Sequence, residues 1–164
     1  MKQPAVVRPG TENDLRAAGL LWRKLSEYHQ SIGMHFQVDD GCVEDWIASF
    51  SRTLGRYSFL WVADNGNEIS GFLLGRLKRA PAYLGGVMVG EISDLYVSEE
   101  LRGQGTGRQL VAAAMQWFTD QKVHSVEVQI MAQNRSGLTF WNSLDFKEDI
   151  ILVRQMIKPG SLDA

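Results

Sequence analysis

Two acids on one segment, Glu91 and Asp94, lie just upstream of the stretch Arg102-Gly103-Gln104-Gly105-Thr106-Gly107-Arg108. Glycines at alternate positions let a chain bend so that successive backbone N–H groups face one point. A helix starting there adds its unpaired first-turn N–H groups and the positive end of its dipole. Such a turn captures anions, and phosphate is its natural guest. The carboxylates beside it are candidate proton acceptors.

The elements that must position these residues follow from periodicity. Residues 87–97 read as a strand, and after the turn residues 108–121 put Leu110, Val111, Ala114, Met115, Trp117 and Phe118 close to one face of a helix. Residues 123–131 alternate Val126, Val128 and Ile130 with Glu127 and Gln129, which predicts a second strand. Strand, glycine turn, helix and strand form a crossing that requires parallel pairing. Upstream, residues 5–8 form a first strand stopped by Pro9-Gly10. A helix over residues 12–31 follows, capped by Thr11 with Asp14 and burying Leu15, Leu20, Leu21, Trp22 and Leu25; Gly33 ends it. A second helix carries Trp46, Ile47 and Phe50, and strands 57–63 and 68–77 flank the turn signal Asp64-Asn65-Gly66-Asn67. Residues 78–86 break the sheet at Pro81, and residues 146–157 read as a last strand. The class is α/β or α+β with a mixed sheet, in one domain over residues 1–164 with a core from 5 to 157.

Spacing separates the phosphate-binding designs that share this outline. A triphosphate-binding loop needs G-x-x-x-x-G-K-[ST], and no Gly-Lys-Ser/Thr occurs. A dinucleotide site wants G-x-G-x-x-G followed by an acid about twenty residues on. Here Arg108 stands where the last glycine belongs, and Glu127 falls in mid-strand.

A third design fits more of the chain. Arg102, Gly105 and Gly107 match [RQ]-x-x-G-x-[GA] after a strand, and Asn134-Arg-Ser-Gly-Leu-Thr-Phe-Trp-Asn-Ser-Leu-Asp-Phe146 supplies a second ordered block. The opening segment Val6 to Leu15 fits as a first strand and helix start. Together these resemble the GNAT superfamily of acetyl-coenzyme A dependent N-acyltransferases, over roughly residues 5–156. The resemblance implies a mixed central sheet of about six to seven strands with about four helices. It also implies acetyl-CoA as co-substrate, no metal, and a homodimer as an allowed state. Residues Arg102, Gly103, Gln104, Gly105, Thr106, Gly107 and Arg108 would hold the cofactor's phosphates, the backbone of Leu95, Tyr96 and Val97 its pantetheine arm, and Asn134 and Trp141 would touch it further on, with a helix N-cap as the equal alternative for Asn134.

The acceptor chemistry needs a base. An amine is mostly ammonium at neutral pH, with a reference pKa of about 10.4, and only its neutral form attacks a thioester. Glu91 matches a position where some GNAT enzymes place that base; Asp94 is the second candidate, with a structural role as its alternative. A backbone N–H from a bulged strand near Leu95 to Val97 would hold the oxyanion. Three departures stand out: Trp141 replaces a common tyrosine, Asp145 a glycine and Gly137 an alanine. An indole does not ionise usefully, so Trp141 cannot inherit the tyrosine's role as acid. Core packing is its alternative, and Tyr96 and Tyr83 are the substitutes on offer. Asp39, Asp40, Glu44 and Asp45 either attract a cationic amine or match a helix dipole.

Composition suits one enzyme-sized domain: 164 residues, 45% apolar and 22% charged. The net charge of −2 argues against nucleic acid as partner. Cys42 is the single cysteine and the three histidines show no ligand spacing, so neither a disulfide nor zinc is expected. No run approaches the ~18 apolar residues of a membrane span, and the N-terminus lacks a signal core. The expected setting is cytoplasmic, with a small-molecule amine as the favoured partner of an N-acetyltransferase; the alternatives are a protein or peptide amine as acceptor, or a non-catalytic acyl-CoA-binding regulatory module.

Overall fold

The computed structural model describes residues 4–157. Five strands form one sheet in the order of the chain: β1 (Val6–Pro9), β2 (Ser58–Asp64), β3 (Ile69–Arg79), β4 (Met88–Val97) and β5 (Ser125–Val128). The first four pair antiparallel, and β4 with β5 is parallel, as the crossover requires. Helices α1 (Leu15–Ser31) and α2 (Cys42–Ser51) cover one face, while α3 (Thr106–Asp120) and α4 (Arg135–Asn142) cover the other. The mixed sheet and four helices are those expected from the sequence.

Each helix lies down through its apolar stripe. In α3, Leu110, Val111, Ala114 and Phe118 are all essentially sealed, at about 1.5–3 kcal/mol for each large side chain removed from water. In α1, Leu15, Ala18 and Leu21 are buried, whereas Leu20 faces solvent, one residue off the stripe. The helix is preceded by a 3-10 turn, Glu12–Asp14, in which Asp14 Oδ2 accepts from Thr11 N at 2.8 Å. Arg8 clamps the same carboxylate with two bonds of 2.9 Å and reaches Asp64 Oδ2 through Nε, tying β1, β2 and the helix start together. That guanidinium holds the Asp14 carboxyl down to about 2, against the opposing effect of burial.

The hairpin turn between β2 and β3 is built as its sequence signals. Asp64 Oδ1 accepts from Gly66 N and Asn65 Oδ1 from Asn67 N and Glu68 N, with Gly66 at φ +87°.

The expected last strand is absent. Residues 147–157 have no regular structure, and Ile150, Ile151, Leu152 and Val153 are 86%, 83%, 68% and 87% exposed. Among the described residues the sheet therefore has five strands rather than six or seven. A strand is held by pairing to a neighbour, and this segment turns away after Asp145, at φ +65°, until Arg154 lies over the Phe36 ring at 5.0 Å.

One close approach fixes β4 under α3. A Cβ at Gly90 would stand 2.5 Å from two ring carbons of Phe118, which is fully buried and has nowhere to move. Gly90→Val is expected to destabilise the fold by about 3 kcal/mol or more through overpacking. Urea unfolding checks this; a loss under about 0.5 kcal/mol would show that the β4–α3 contact yields freely.

Candidate active site

The site begins with a flaw in β4. Asp94 pairs with Leu74 and Ile92 with Gly75, so Ser93 has no opposite residue and bulges, its Oγ donating to Leu74 O at 3.2 Å. The pairing with β5 stops at the same place, with Ile92 opposite Val128. From Ser93 to Val97, β4 therefore has no neighbour on that side among the described residues. Ser98 N donates to Ser70 O at 2.8 Å, and the alternation of an antiparallel ladder then turns the main-chain groups of Tyr96 and Asp94 toward β3. Those of Leu95 and Val97 point the other way, into the opening. Arg102 Nε reaches Val97 O from that side at 2.9 Å.

Beyond Val97 a 3-10 turn, Glu99–Leu101, leads into the glycine stretch. Gly103 and Gly105 adopt φ +75° and +86°, conformations that carry a steric cost for residues with a Cβ. Nothing stands within 4 Å of where a Cβ would sit on either. Helix α3 starts at Thr106, and its first internal bond runs from Gln109 N to Gly105 O. The N–H groups of Gly103, Gly105, Thr106, Gly107 and Arg108 have no acceptor among the described residues. A run of free donors at a helix N-terminus is a donor set for a diphosphate.

Side chains around the turn are less free than the spacing suggests. The Arg102 guanidinium lies over Tyr96, 5.5 Å from the ring centre, and Arg108 turns to α4, donating to Ser143 Oγ at 2.8 Å. Gln104 Nε2 donates to Glu100 O. Gly107 makes room for a neighbour, since its Cβ would touch the Phe140 ring at 3.3 Å. A cavity of about 440 Å³ opens beside the turn, lined by Lys24, Tyr28, Tyr96, Ser98 and Arg102. A larger one, about 650 Å³, lies between α1 and the β2–β3 turn and contains none of the chemistry-bearing groups.

The two acids of β4 live in opposite surroundings. Glu91 is 7% exposed and its carboxylate is fully engaged: Oε1 accepts from Arg76 Nε at 2.7 Å and Oε2 from Lys78 Nζ at 3.1 Å. Lys78 also pairs with Glu127. Asp94 is half-buried, and desolvation pushes its carboxyl up to about 6, against the opposing pull of Ser93, Trp22, Arg76 and Trp46. Trp46 is itself buried, and its Nε1–H finds no acceptor within hydrogen-bond distance. Trp22 and Trp46 stack with centroids 6.0 Å apart. From sequence both tryptophans read as core alone; no pattern linked them to Asp94.

Asn134 caps α4, its Oδ1 accepting from Gly137 N at 2.9 Å, and the same oxygen lies 3.3 Å from the Tyr28 hydroxyl. Tyr28 was not legible as a site residue, being 106 positions away. Trp141, 6% exposed, packs edge-on against Phe140 and Phe146 at 5.2 and 4.9 Å, the core alternative foreseen for it. Tyr83 is 86% exposed, while Tyr96 is half-buried beneath Arg102. Cys42 is buried at the start of α2. In the acid-rich connection Glu44 pairs with Arg16, Asp40 with Arg23 at 3.6 Å, and Asp39 accepts from Gly41 N. Among the described residues no group of three or more His, Cys, Asp or Glu could hold a metal, and no helix is long and apolar enough to cross a membrane.

Comparison with known proteins bears on this geometry. A comparison with curated proteins finds no match. Among solved structures, a tetramutant of the BH1408 protein from Bacillus halodurans superposes with a TM-score of 0.79 at 22% identity, covering 93% of this chain and 99% of the other. A transcriptional regulator from Bacillus halodurans C-125 gives 0.74 at 22% identity over the same shares. The aminoglycoside acetyltransferase meta-AAC0020 from an uncultured soil metagenomic sample, in complex with sisomicin, gives 0.69 at 22% identity, covering 94% and 97%. At these identities the likeness is one of fold. The sequence profile of the acetyltransferase (GNAT) family matches residues 20–146, a span that includes the opened strand, the glycine turn and α4. This chain belongs to the acetyltransferase (GNAT) family.

Proposed function

We propose that this protein is an N-acetyltransferase that moves an acetyl group from acetyl-CoA to a primary amine, with a small-molecule amine as the favoured acceptor. The observation that carries this reading is the free edge of β4: Leu95 and Val97 offer unpaired main-chain groups between an N–H-rich turn and a carboxylate with raised proton affinity. Acetyl-CoA, when bound, supplies the activated thioester. The donors of Gly103, Gly105, Thr106, Gly107 and Arg108 hold its diphosphate, and the edge of Leu95 and Val97 pairs with its amide-bearing arm as an added strand would.

Asp94 takes the proton from the incoming ammonium. A carboxyl near 6 is ionised at neutral pH yet holds a proton far better than an ordinary aspartate. Glu91 is the less suitable base because Arg76 and Lys78 occupy its oxygens; it anchors Arg76, whose charge also acts on Asp94. An N–H of the bulged segment stabilises the developing oxyanion. With Trp141 in the core, the thiol, of reference pKa about 8.5, departs as thiolate or is protonated by water. A small acceptor is supported by the fold shared with an aminoglycoside acetyltransferase and by the indole-walled surroundings of Asp94.

Steady-state kinetics with acetyl-CoA and an amine panel including spermidine, aminoglycosides, amino acids and peptides test the assignment. Asp94→Asn is expected to lower kcat about 10² to 10⁴-fold with acetyl-CoA affinity unchanged, and Glu91→Gln less than about tenfold. A collapsed Glu91→Gln rate beside a near-normal Asp94→Asn rate would move the base to Glu91. Binding of acetyl-CoA without thiol release on any amine would refute the enzyme reading.

The raised carboxyl also has a stability signature. Asp94 holds its proton more tightly folded than unfolded, where an aspartate titrates near about 3.9, so the protein loses stability as pH rises from about 4 to about 6 and bears a constant cost above. Asp94→Asn is expected to gain in Tm relative to the parent across that window and to keep the gain at pH 8. A Tm difference flat from pH 4 to 8 would show that the carboxyl is not desolvated.

Gly105→Val tests the turn. It is expected to remain folded, since open space surrounds the position, while acetyl-CoA affinity falls at least about 100-fold as φ +86° is lost. Unchanged affinity by calorimetric titration of the soluble variant would overturn the diphosphate assignment.

A further inference from the structure

We propose that Tyr28 is a further residue of the cofactor site, a strap that closes the groove over the cofactor's arm by bonding across the opening to Asn134. The inference rests on the reading of the Leu95 and Val97 edge as the seat of that arm. One hydrogen bond carries it: the Tyr28 hydroxyl donates to Asn134 Oδ1 at 3.3 Å, between residues 106 positions apart. Tyr28 belongs to α1 and Asn134 caps α4, helices that cover opposite faces of the sheet. Side chains from opposite faces meet only around an edge or through a break. Tyr28 lines the cavity beside Tyr96, Ser98 and Arg102, and so stands at the half of β4 that has lost β5. The bond therefore passes through the break, beside the main-chain edge of Leu95 and Val97.

The bond is built to give way on one side only. Asn134 Oδ1 accepts from three donors, Gly137 N at 2.9 Å, Ser136 Oγ at 3.2 Å and the Tyr28 hydroxyl at 3.3 Å. A carbonyl oxygen has two lone pairs, so the longest of three bonds to it is the weakest. The shortest is the helix cap, which keeps Asn134 in place. Tyr28 is 41% exposed, and its main chain is tied down by Ser31 Oγ, which donates to Tyr28 O at 2.6 Å. The phenol is thus the moving part and the cap the fixed one. Gly137 supplies the room: a Cβ there would stand 2.6 Å from Asn134 Nδ2 and 2.8 Å from its Cγ. The alanine that Gly137 replaces would push this amide off its line to Tyr28 without disturbing the backbone. The departure at 137 and the long-range contact are two halves of one arrangement.

The strand edge and the Tyr28–Asn134 bond enclose between them the place assigned to the arm. Coenzyme A carries a nucleotide at one end that is bulkier than its arm, so Tyr28 must swing out to admit it and again to release it. An interaction present before and after binding but broken during passage sets the rates of exchange rather than the affinity.

Stopped-flow mixing of the full chain with coenzyme A, followed by protein fluorescence, gives the association and dissociation rates, and calorimetric titration gives Kd. Tyr28→Phe removes only the hydroxyl and is expected to raise both rates about two- to tenfold, the range for one hydrogen bond, with Kd within about twofold of the parent. Gly137→Ala is expected to do the same, and the double variant no more than either alone, because both substitutions break one bond. A residue that merely touches the cofactor would raise the dissociation rate and Kd together. That result overturns the strap, as do unchanged rates in Tyr28→Phe or additive effects of the two substitutions. Failure of the parent protein to bind coenzyme A would instead remove the cofactor reading itself, and the strap with it.

Discussion

Everything at this site depends on β4 losing its neighbour halfway along. A strand in the middle of a sheet normally satisfies both edges, and an unpaired buried N–H or C=O costs about 1–3 kcal/mol. Here the bulge at Ser93 and the end of β5 at Val128 coincide, so the ladder is whole through Ile92 and one-sided from Ser93 on. The upper half is held by its other edge, through β3, and by side chains: Leu95 and Val97 pack toward α3 and α4, Tyr96 toward α1. The parallel pairing thus ends below the point where the chain leaves β4 for the crossing helix, and that helix starts at the N–H-rich turn.

The two carboxylates show how little separation is needed to divide roles. Glu91 and Asp94 project toward the same side of one strand. Glu91 is bonded to Arg76 and Lys78, while Asp94 sits beside indoles and desolvation raises its hold on a proton. A carboxyl whose proton affinity is raised by desolvation next to a cofactor-binding turn is a candidate acid–base group. The bulge contributes directly, because regular alternation through Ser93 would put Asp94 on the α3 face with Ile92.

Legibility in the sequence followed the range of the interactions. The glycine turn, the hairpin turn and the stripe of α3 are local, and residues a few positions apart settle them: Gly105 before Thr106, Asn65 with Gly66, Leu110 with Ala114 and Phe118. Long-range relations were not legible. Nothing in the chain ties Tyr28 to Asn134, or Trp22 and Trp46 to Asp94, and nothing in the spacing tells that Arg76 and Lys78 will occupy Glu91. Nor does the spacing tell that Arg102, read as an anion ligand, lies over Tyr96 and that Arg108, read likewise, bonds to Ser143. The last strand failed for a related reason. Residues 150–153 have the composition of a strand, but pairing is a property of two segments, and the composition of one does not supply its neighbour.

The same distinction bears on what reaches the proposed acceptor side. Two acids between α1 and α2 and two in the first turn of α2 offered either attraction of a cationic amine or a match to the helix dipole; Glu44 and Asp40 are paired to arginines of α1 and Asp39 is spent on its own turn. Exposed pairs of this kind contribute about 0–1 kcal/mol and are screened by salt, so their residual field is weak. Asp94 is the group that differs. Walled by Trp22 and Trp46, it is a poor partner for a strongly hydrated ammonium and a good one for an amine that sheds its proton on arrival. On the proposed reading, discrimination among amines then rests less on total positive charge than on how readily one amino group can be desolvated beside aromatic rings. That favours an acceptor presenting a single reactive amine on a compact, partly apolar frame.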